Sequence, residues 1–190
     1  DARTESKAAS LSWSVGPKEA ARADSKEAPA GYFAVRLRAD APAGMAARRW
    51  GRSARAFVID ASHSQSLDTM DASIRVTRAA LANLDPDDRF VVLACDSACE
   101  SYPEAGLARA GDEAVADAGR WLAQRAPGGS SDVAGALLTA AERLEAEGGG
   151  QVVYLGDGVA TSGELGVAAI GGGVEGAFRG LDAHFVGVGH

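Results

Sequence analysis

The stretch RAFVIDASHS, residues 55–64, decides the fold: a near-continuous apolar run stops at Asp60 and is followed at once by Ser62 and Ser64. An apolar run without alternation is what a strand covered on both faces of a sheet requires. Three further runs share this character: RFVVLAC (89–95), QVVYLG (151–156) and AHFVGVG (183–189). Two more stretches place oxygen-bearing side chains beside such elements, Ser130 to Asp132 in PGGSSD and Asp157 after VVYLG. If the runs are neighbours in one parallel sheet, these side chains converge on a single rim. Carboxylates and hydroxyls together are the donor set of a hard divalent cation.

Between the runs the apolar residues recur at helical spacing. Met70, Ile74, Thr77 and Leu81 form one stripe, Val115, Ala118 and Leu122 a second, and Val133, Leu137, Ala140 and Leu144 a third. The third helix has Ser131 or Asp132 as its N-cap and Gly148 to Gly150 as its stop. Strand and helix in alternation imply right-handed crossovers and an α/β, doubly wound, mostly parallel sheet flanked by helices, with loops at the strand carboxyl ends building any site. The segment from Gly163 to Gly180 should cross to the last strand. Gly171 to Gly173 each cost about 1 kcal/mol relative to alanine in a helix interior, so a broken or mobile helix is expected there.

Residues 1–53 differ in texture. SLSWSV (10–15) and GYFAVRLRA (31–39) alternate as strands do, with a polar, alanine-rich loop between them and a linker, residues 40–52, after them. This gives a short β-rich N-terminal segment, residues 1–53, and a main domain, residues 54–190. A chain of 190 residues with 46% hydrophobic and 24% charged residues has globular rather than disordered composition.

The excess of 26 acidic over 19 basic residues, net charge −7, argues against a nucleic-acid partner. The one basic group, Arg48, Arg49, Arg52 and Arg55, reads as a solvated linker. No apolar run approaches the roughly 20 residues of a membrane span, and no signal-peptide pattern opens the chain. Because the first residue is Asp1 rather than Met, an upstream portion is expected to have been removed or left out. A hairpin could just bring Cys95 and Cys99 together, but separate buried or half-buried thiols are the expectation. Trp13, Trp50 and Trp121 read as core or linker anchors.

Taken singly, Asp60 is a loop or capping carboxylate, Ser62 and Ser64 are turn residues, and Asp157-Gly158 is a turn. Only the three-part constellation lifts a metal site above these readings. DxSxS at a strand end, a hydroxyl in a glycine-preceded loop before a helix, and Asp-Gly after a later strand together resemble the von Willebrand factor type A domain and its metal-ion-dependent adhesion site. The resemblance covers about residues 54–190. It implies a cation, Mg2+ with Mn2+ or Ca2+ as alternatives, held by Asp60, Ser62, Ser64, Ser131 and Asp157, Ser131 taking the place of the family's threonine.

It further implies adhesion rather than turnover, with an Asp or Glu of a protein partner completing the shell and no catalytic residues. For location, which the sequence itself does not fix, an extracytoplasmic site is the expectation over a cytoplasmic one. Residues 10–53 resemble, more distantly, the β-rich module that precedes such a domain in proteins similar to inter-alpha-trypsin inhibitor heavy chains. His63 stands where the family has glycine, and SHSQS lacks the usual methionine. His63 is the candidate partner-contacting residue; it could instead crowd the cation or point to water. The chain stops at His190, where the family adds another helix and strand, so either these are missing or something else covers the last strand's edge.

Enzyme readings fare worse. GDGVATSG has the wrong glycine spacing for a dinucleotide turn, and Asp157 would repel a pyrophosphate. A phosphatase with a strand-end aspartate nucleophile needs a second acid where Ser62 stands. Neither a GxSxG elbow nor a GxxxxGK[ST] loop occurs. The rival from another class is an assembly subunit of an ATP-driven remodelling machine that uses the same metal site.

Overall fold

Two compact units divide the chain, residues 1–50 and 51–190, and the computed structural model describes residues 5–6, 9–15, 33–38 and 53–188. In the first unit β1 (Glu5–Ser6), β2 (Ala9–Val15) and β3 (Phe33–Arg38) form an antiparallel sheet in that order. Its main ladder runs from Ser10 opposite Arg38 to Val15 opposite Phe33. The two alternating stretches are therefore strands, and Trp13 sits in the first of them. The intervening loop, the linker and Arg48, Arg49, Trp50 and Arg52 lie outside the described residues.

The second unit runs β4 (Ala54–Asp60), α1 (Leu67–Leu81), β5 (Arg89–Cys95), β6 (Cys99–Tyr102), β7 (Ala108–Arg109), α2 (Asp112–Leu122), α3 (Val133–Glu145), β8 (Gly150–Gly156), α4 (Val167–Glu175) and β9 (Leu181–Gly187). The sheet order is β6-β5-β4-β8-β9, with β7 also on β5. β5, β4, β8 and β9 are mutually parallel, whereas β6 and β7 are antiparallel to β5. This is the doubly wound sheet expected from the alternation, extended at one edge by two short polar strands.

Period-2 alternation along β4 explains why both faces had to be apolar. Ala56 and Val58 enter a core with Val133, Leu137, Ala140 and Leu144 of α3, while Phe57 and Ile59 enter the opposite core with Met70 and Leu81 of α1 and Leu122 of α2. Each large side chain so buried contributes about 1.5–3 kcal/mol. Helix starts follow their caps: the Ser66 hydroxyl accepts from Thr69 N at 3.1 Å, and the Asp132 carboxylate from Gly135 N at 2.9 Å. After Glu145, Gly149 N closes back on Leu144 O at 3.1 Å, so the glycine run stops α3.

Three expectations are corrected. Cys95 and Cys99 form a disulfide, because the turn at Asp96–Ala98 makes them directly opposed residues of the β5–β6 hairpin with Cα atoms 4.1 Å apart. The helix α4 is continuous through Gly171, Gly172 and Gly173. Packing compensates for its weak propensity: Val174, and Phe178 beyond its end, lie against the α3-side core. Arg55 is no linker residue either, since β4 carries it to an ion pair with Asp88 (2.5 Å) and a hydrogen bond to Gln151 (3.0 Å).

Trp121 packs against the α1/α2-side core as an anchor. Among the described residues no strand follows β9, whose residues from Asp182 to Gly187 are exposed, Phe185 at 62%.

Candidate metal centre

The chain leaves β4 toward β5 on one side and returns to β8 on the other, so the strand order reverses beside β4. In an open α/β sheet that reversal opens a crevice at the carboxyl ends, and Asp60 is the last residue of β4. Backbone hydrogen bonds stitch the surrounding loops. Ala61 N donates to Cys95 O (2.8 Å), Gly128 N to Ala61 O (2.8 Å), His63 N to Gly129 O (3.0 Å), and Asp132 N to Asp96 O (3.1 Å). The loop after β8 is tied in by Thr161 N and Ser162 N, which both donate to Ser131 O, and by Ser131 N, which donates to the Thr161 hydroxyl at 2.8 Å.

Five of the six side chains singled out in the sequence fall in two hydrogen-bonded groups, Asp60 with Ser131 and Ser62 with Ser64 and Asp157, joined by the Ser62 backbone amide. Asp60 is 2% exposed; its Oδ1 accepts from Ser62 N at 2.9 Å, and its Oδ2 accepts from the Ser131 hydroxyl at 3.5 Å, the outer limit of such a bond. Ser62 Oγ and Ser64 Oγ share a hydrogen bond at 2.9 Å, and Ser64 Oγ donates to Asp157 Oδ2 at 2.9 Å. Asp157 Oδ1 accepts from Val159 N at 2.8 Å. The sixth, His63, joins through its backbone, and its imidazole is exposed without a hydrogen bond to any described residue. Asp132 serves as the α3 cap.

The sequence reading passed over one member of the set. Tyr154, 3% exposed on β8, donates its hydroxyl to Asp60 Oδ2 at 3.1 Å. Burial, then the charge and hydrogen bond of Asp60, then the charge of Asp157 hold its proton far above the ordinary phenol range, opposed weakly by the Gly158 amide. In VVYLG a tyrosine passes for one more apolar strand residue. The available signal was that a buried phenol needs a polar partner.

Close approach explains two glycines. A Cβ at Gly156 would stand 2.5 Å from Asp60 Cβ and 2.8 Å from the Tyr154 oxygen, and one at Gly129, where φ is +62°, would stand 2.6 Å from Asp96 Oδ2.

The donor set fits a hard cation. Among the described residues no three His, Cys, Asp or Glu side chains group as a metal cluster. Two carboxylates and three hydroxyls remain. Adjacent ligands of an octahedral ion bound at about 2.0–2.1 Å stand about 2.9 Å apart. Ser62 Oγ to Ser64 Oγ and Ser64 Oγ to Asp157 Oδ2 have that spacing. Two carboxylates facing neutral hydroxyls would supply charge, and the hydroxyl protons would turn outward to let oxygen lone pairs face the ion.

No protein-family model and no curated protein sequence matches the chain. Solved structures do match in fold. A von Willebrand factor type A protein from Catenulispora acidiphila superposes with a TM-score of 0.66 at 16% identity, over 100% of this chain and 43% of its own. The pilus adhesin SpaC from Lactobacillus rhamnosus GG in its open conformation gives 0.55 at 15%, over 72% of this chain and 24% of its own. Proximal thread matrix protein 1 from the mussel byssus gives 0.56 at 15%, over 73% and 38% respectively. The chain thus spans less than half the length of each. At these identities the likeness speaks to architecture alone, and the architecture is that of a von Willebrand factor type A-like fold.

Proposed function

We propose that this chain is a non-enzymatic, divalent-metal-dependent protein-binding module. Asp60, Ser62, Ser64, Ser131 and Asp157 hold Mg2+, with Mn2+ or Ca2+ as substitutes, and an Asp or Glu of a protein partner fills a remaining position. The cation then bridges two sets of carboxylates that would otherwise repel. The observation that carries the reading is the Ser62–Ser64–Asp157 chain of oxygens at octahedral spacing on the same rim as Asp60 and Ser131.

Further support comes from the fold shared with a pilus adhesin. The Cys95–Cys99 disulfide favours an oxidising, extracytoplasmic location. It also disfavours the rival role on a cytosolic ATP-driven machine. His63, exposed between Ser62 and Ser64, is the residue proposed to contact the partner.

Isothermal titration with magnesium chloride tests the reading. Wild type should give a saturable one-to-one heat that EDTA abolishes, and Asp60→Asn, which keeps an acceptor for Tyr154, should give none while retaining its near-UV dichroism. Absence of heat from folded wild type, or an undiminished heat from the variant, overturns it.

A further inference from the structure

We infer that Tyr154 is a positioning residue for this cation site: its hydroxyl, carried by the sheet rather than by a loop, fixes the Asp60 carboxylate and thereby sets how tightly the ion is held. The inference rests on the metal reading above and goes beyond the five oxygens that resemblance assigns.

The other two contacts of Asp60 come from loop residues, Ser62 N and the Ser131 hydroxyl. Tyr154 instead sits in β8, directly opposite Val58 in the ladder with β4. Residues 58 and 60 share one face of β4, and 154 and 156 share the same face of β8, by the period of two. The phenol therefore runs along the sheet toward the strand ends, over Gly156, to reach Asp60. Gly156 leaves the passage open, since a Cβ there would stand 2.8 Å from the phenol oxygen. The ring is held on its outer side by Phe185, centroid to centroid 5.9 Å.

This geometry divides the work at Asp60. Ser131 has one hydroxyl, already 3.5 Å from Oδ2, and must turn its oxygen to the ion in order to ligate. Tyr154 keeps Oδ2 hydrogen-bonded throughout that change, while Ser62 N keeps Oδ1. Both oxygens of a buried carboxylate are thus pinned by donors independent of the ion. Partners of this kind orient ligating groups, and their removal typically weakens metal binding about 10–100-fold.

The test uses the full 190-residue chain and Mg2+ alone. Tyr154→Phe keeps the ring and its contact with Phe185 and should weaken the magnesium Kd about tenfold or more. Replacing the phenol by an aniline, which keeps a donor at the same reach, should restore it. A merely structural role would lower the melting temperature in EDTA and leave the Kd of the folded protein unchanged. Equal affinity of wild type and Tyr154→Phe overturns the inference and leaves the metal reading standing, whereas no magnesium heat in wild type removes both.

Should Tyr154→Phe fail to fold, the tyrosine absorption band decides, read in a Tyr32→Phe, Tyr102→Phe background where Tyr154 is the sole tyrosine. Magnesium should shift it to the blue, as the ion draws charge from Asp60, and saturate at the calorimetric Kd. A band that stays still while heat shows binding overturns the inference.

Discussion

Ser64 and Asp157 are 93 residues apart in sequence, and the serine hydroxyl donates to the aspartate Oδ2 at 2.9 Å. One residue follows β4 and the other follows β8, so the bond joins the two loops flanking the point where strand order reverses. It is an exposed bond, and substitutions at exposed sites usually shift folding stability by no more than about 0.5 kcal/mol. Under the proposed function it places two hard oxygens at the spacing a divalent cation needs.

Ser64→Ala should accordingly separate stability from binding. The unfolding free energy should change by under about 1 kcal/mol, as for most exposed substitutions. The magnesium affinity should fall about tenfold or more, since a ligand is lost rather than a neighbour of one. Urea unfolding in EDTA and calorimetry with magnesium measure the two quantities, and a large loss of stability with unchanged affinity would contradict the assignment.

Much of this arrangement was legible in the chain because it follows from periodicity. Three of the four apolar runs are buried parallel strands, β4, β5 and β8. The fourth, AHFVGVG, lies largely in the exposed β9 and so is not covered on both faces as its composition predicts. The helix α3 announced itself by a stripe between a cap and a glycine stop. Convergence of Asp60, Ser62, Ser64, Ser131 and Asp157 then followed from topology. What escaped depends on pairing that no local pattern encodes. CESY (99–102) and Ala108–Arg109 are too polar and short to read as strands, yet β5 templates them. The disulfide was hidden for the same reason, since only the hairpin register opposes its cysteines. Tyr154 was misjudged because a tyrosine inside an apolar run shows its bulk in the sequence and its hydroxyl only in three dimensions.

Reduction offers a second check. The Cys95–Cys99 bond spans a sequence separation of four, and closing so small a loop in the unfolded chain contributes about 2 kcal/mol in the chain-entropy account. Cys99→Ser, or reductant, should lower the unfolding free energy measured in urea by that order without abolishing folding, because β4, β8 and α3 do not depend on the bond. Loss of cooperative unfolding would show instead that the hairpin organises the whole sheet.

Gly156→Ala probes the space between Asp60 and Tyr154. The added methyl would stand 2.5 Å from Asp60 Cβ, nearer than carbon atoms can pack. Overfilling of this kind costs about 1–3 kcal/mol. The relief has to come from Asp60 or Tyr154 moving, so magnesium affinity should fall together with the melting temperature. A variant that is destabilised yet binds magnesium as wild type would mean that the strand, not the carboxylate, yields.

Alkaline pH provides the last check, through the proton on Tyr154. In the unfolded chain this phenol titrates near its ordinary 10.0, whereas in the folded chain burial, and then Asp60, hold the proton to much higher pH. Above 10.0 the folded state therefore binds more protons than the unfolded state, and stability falls as pH rises; below that value the contribution is fully present. The slope for one such group approaches about 1.4 kcal/mol per pH unit. Lysines and the other tyrosines titrate alike in wild type and Tyr154→Phe, so the difference between their urea unfolding free energies isolates this group. That difference should stay level up to pH 10.0 and shift against wild type beyond it. A difference that remains level through the alkaline range would mean that Tyr154 ionises as readily in the folded protein as in the unfolded chain, and that its hydroxyl is not committed to Asp60.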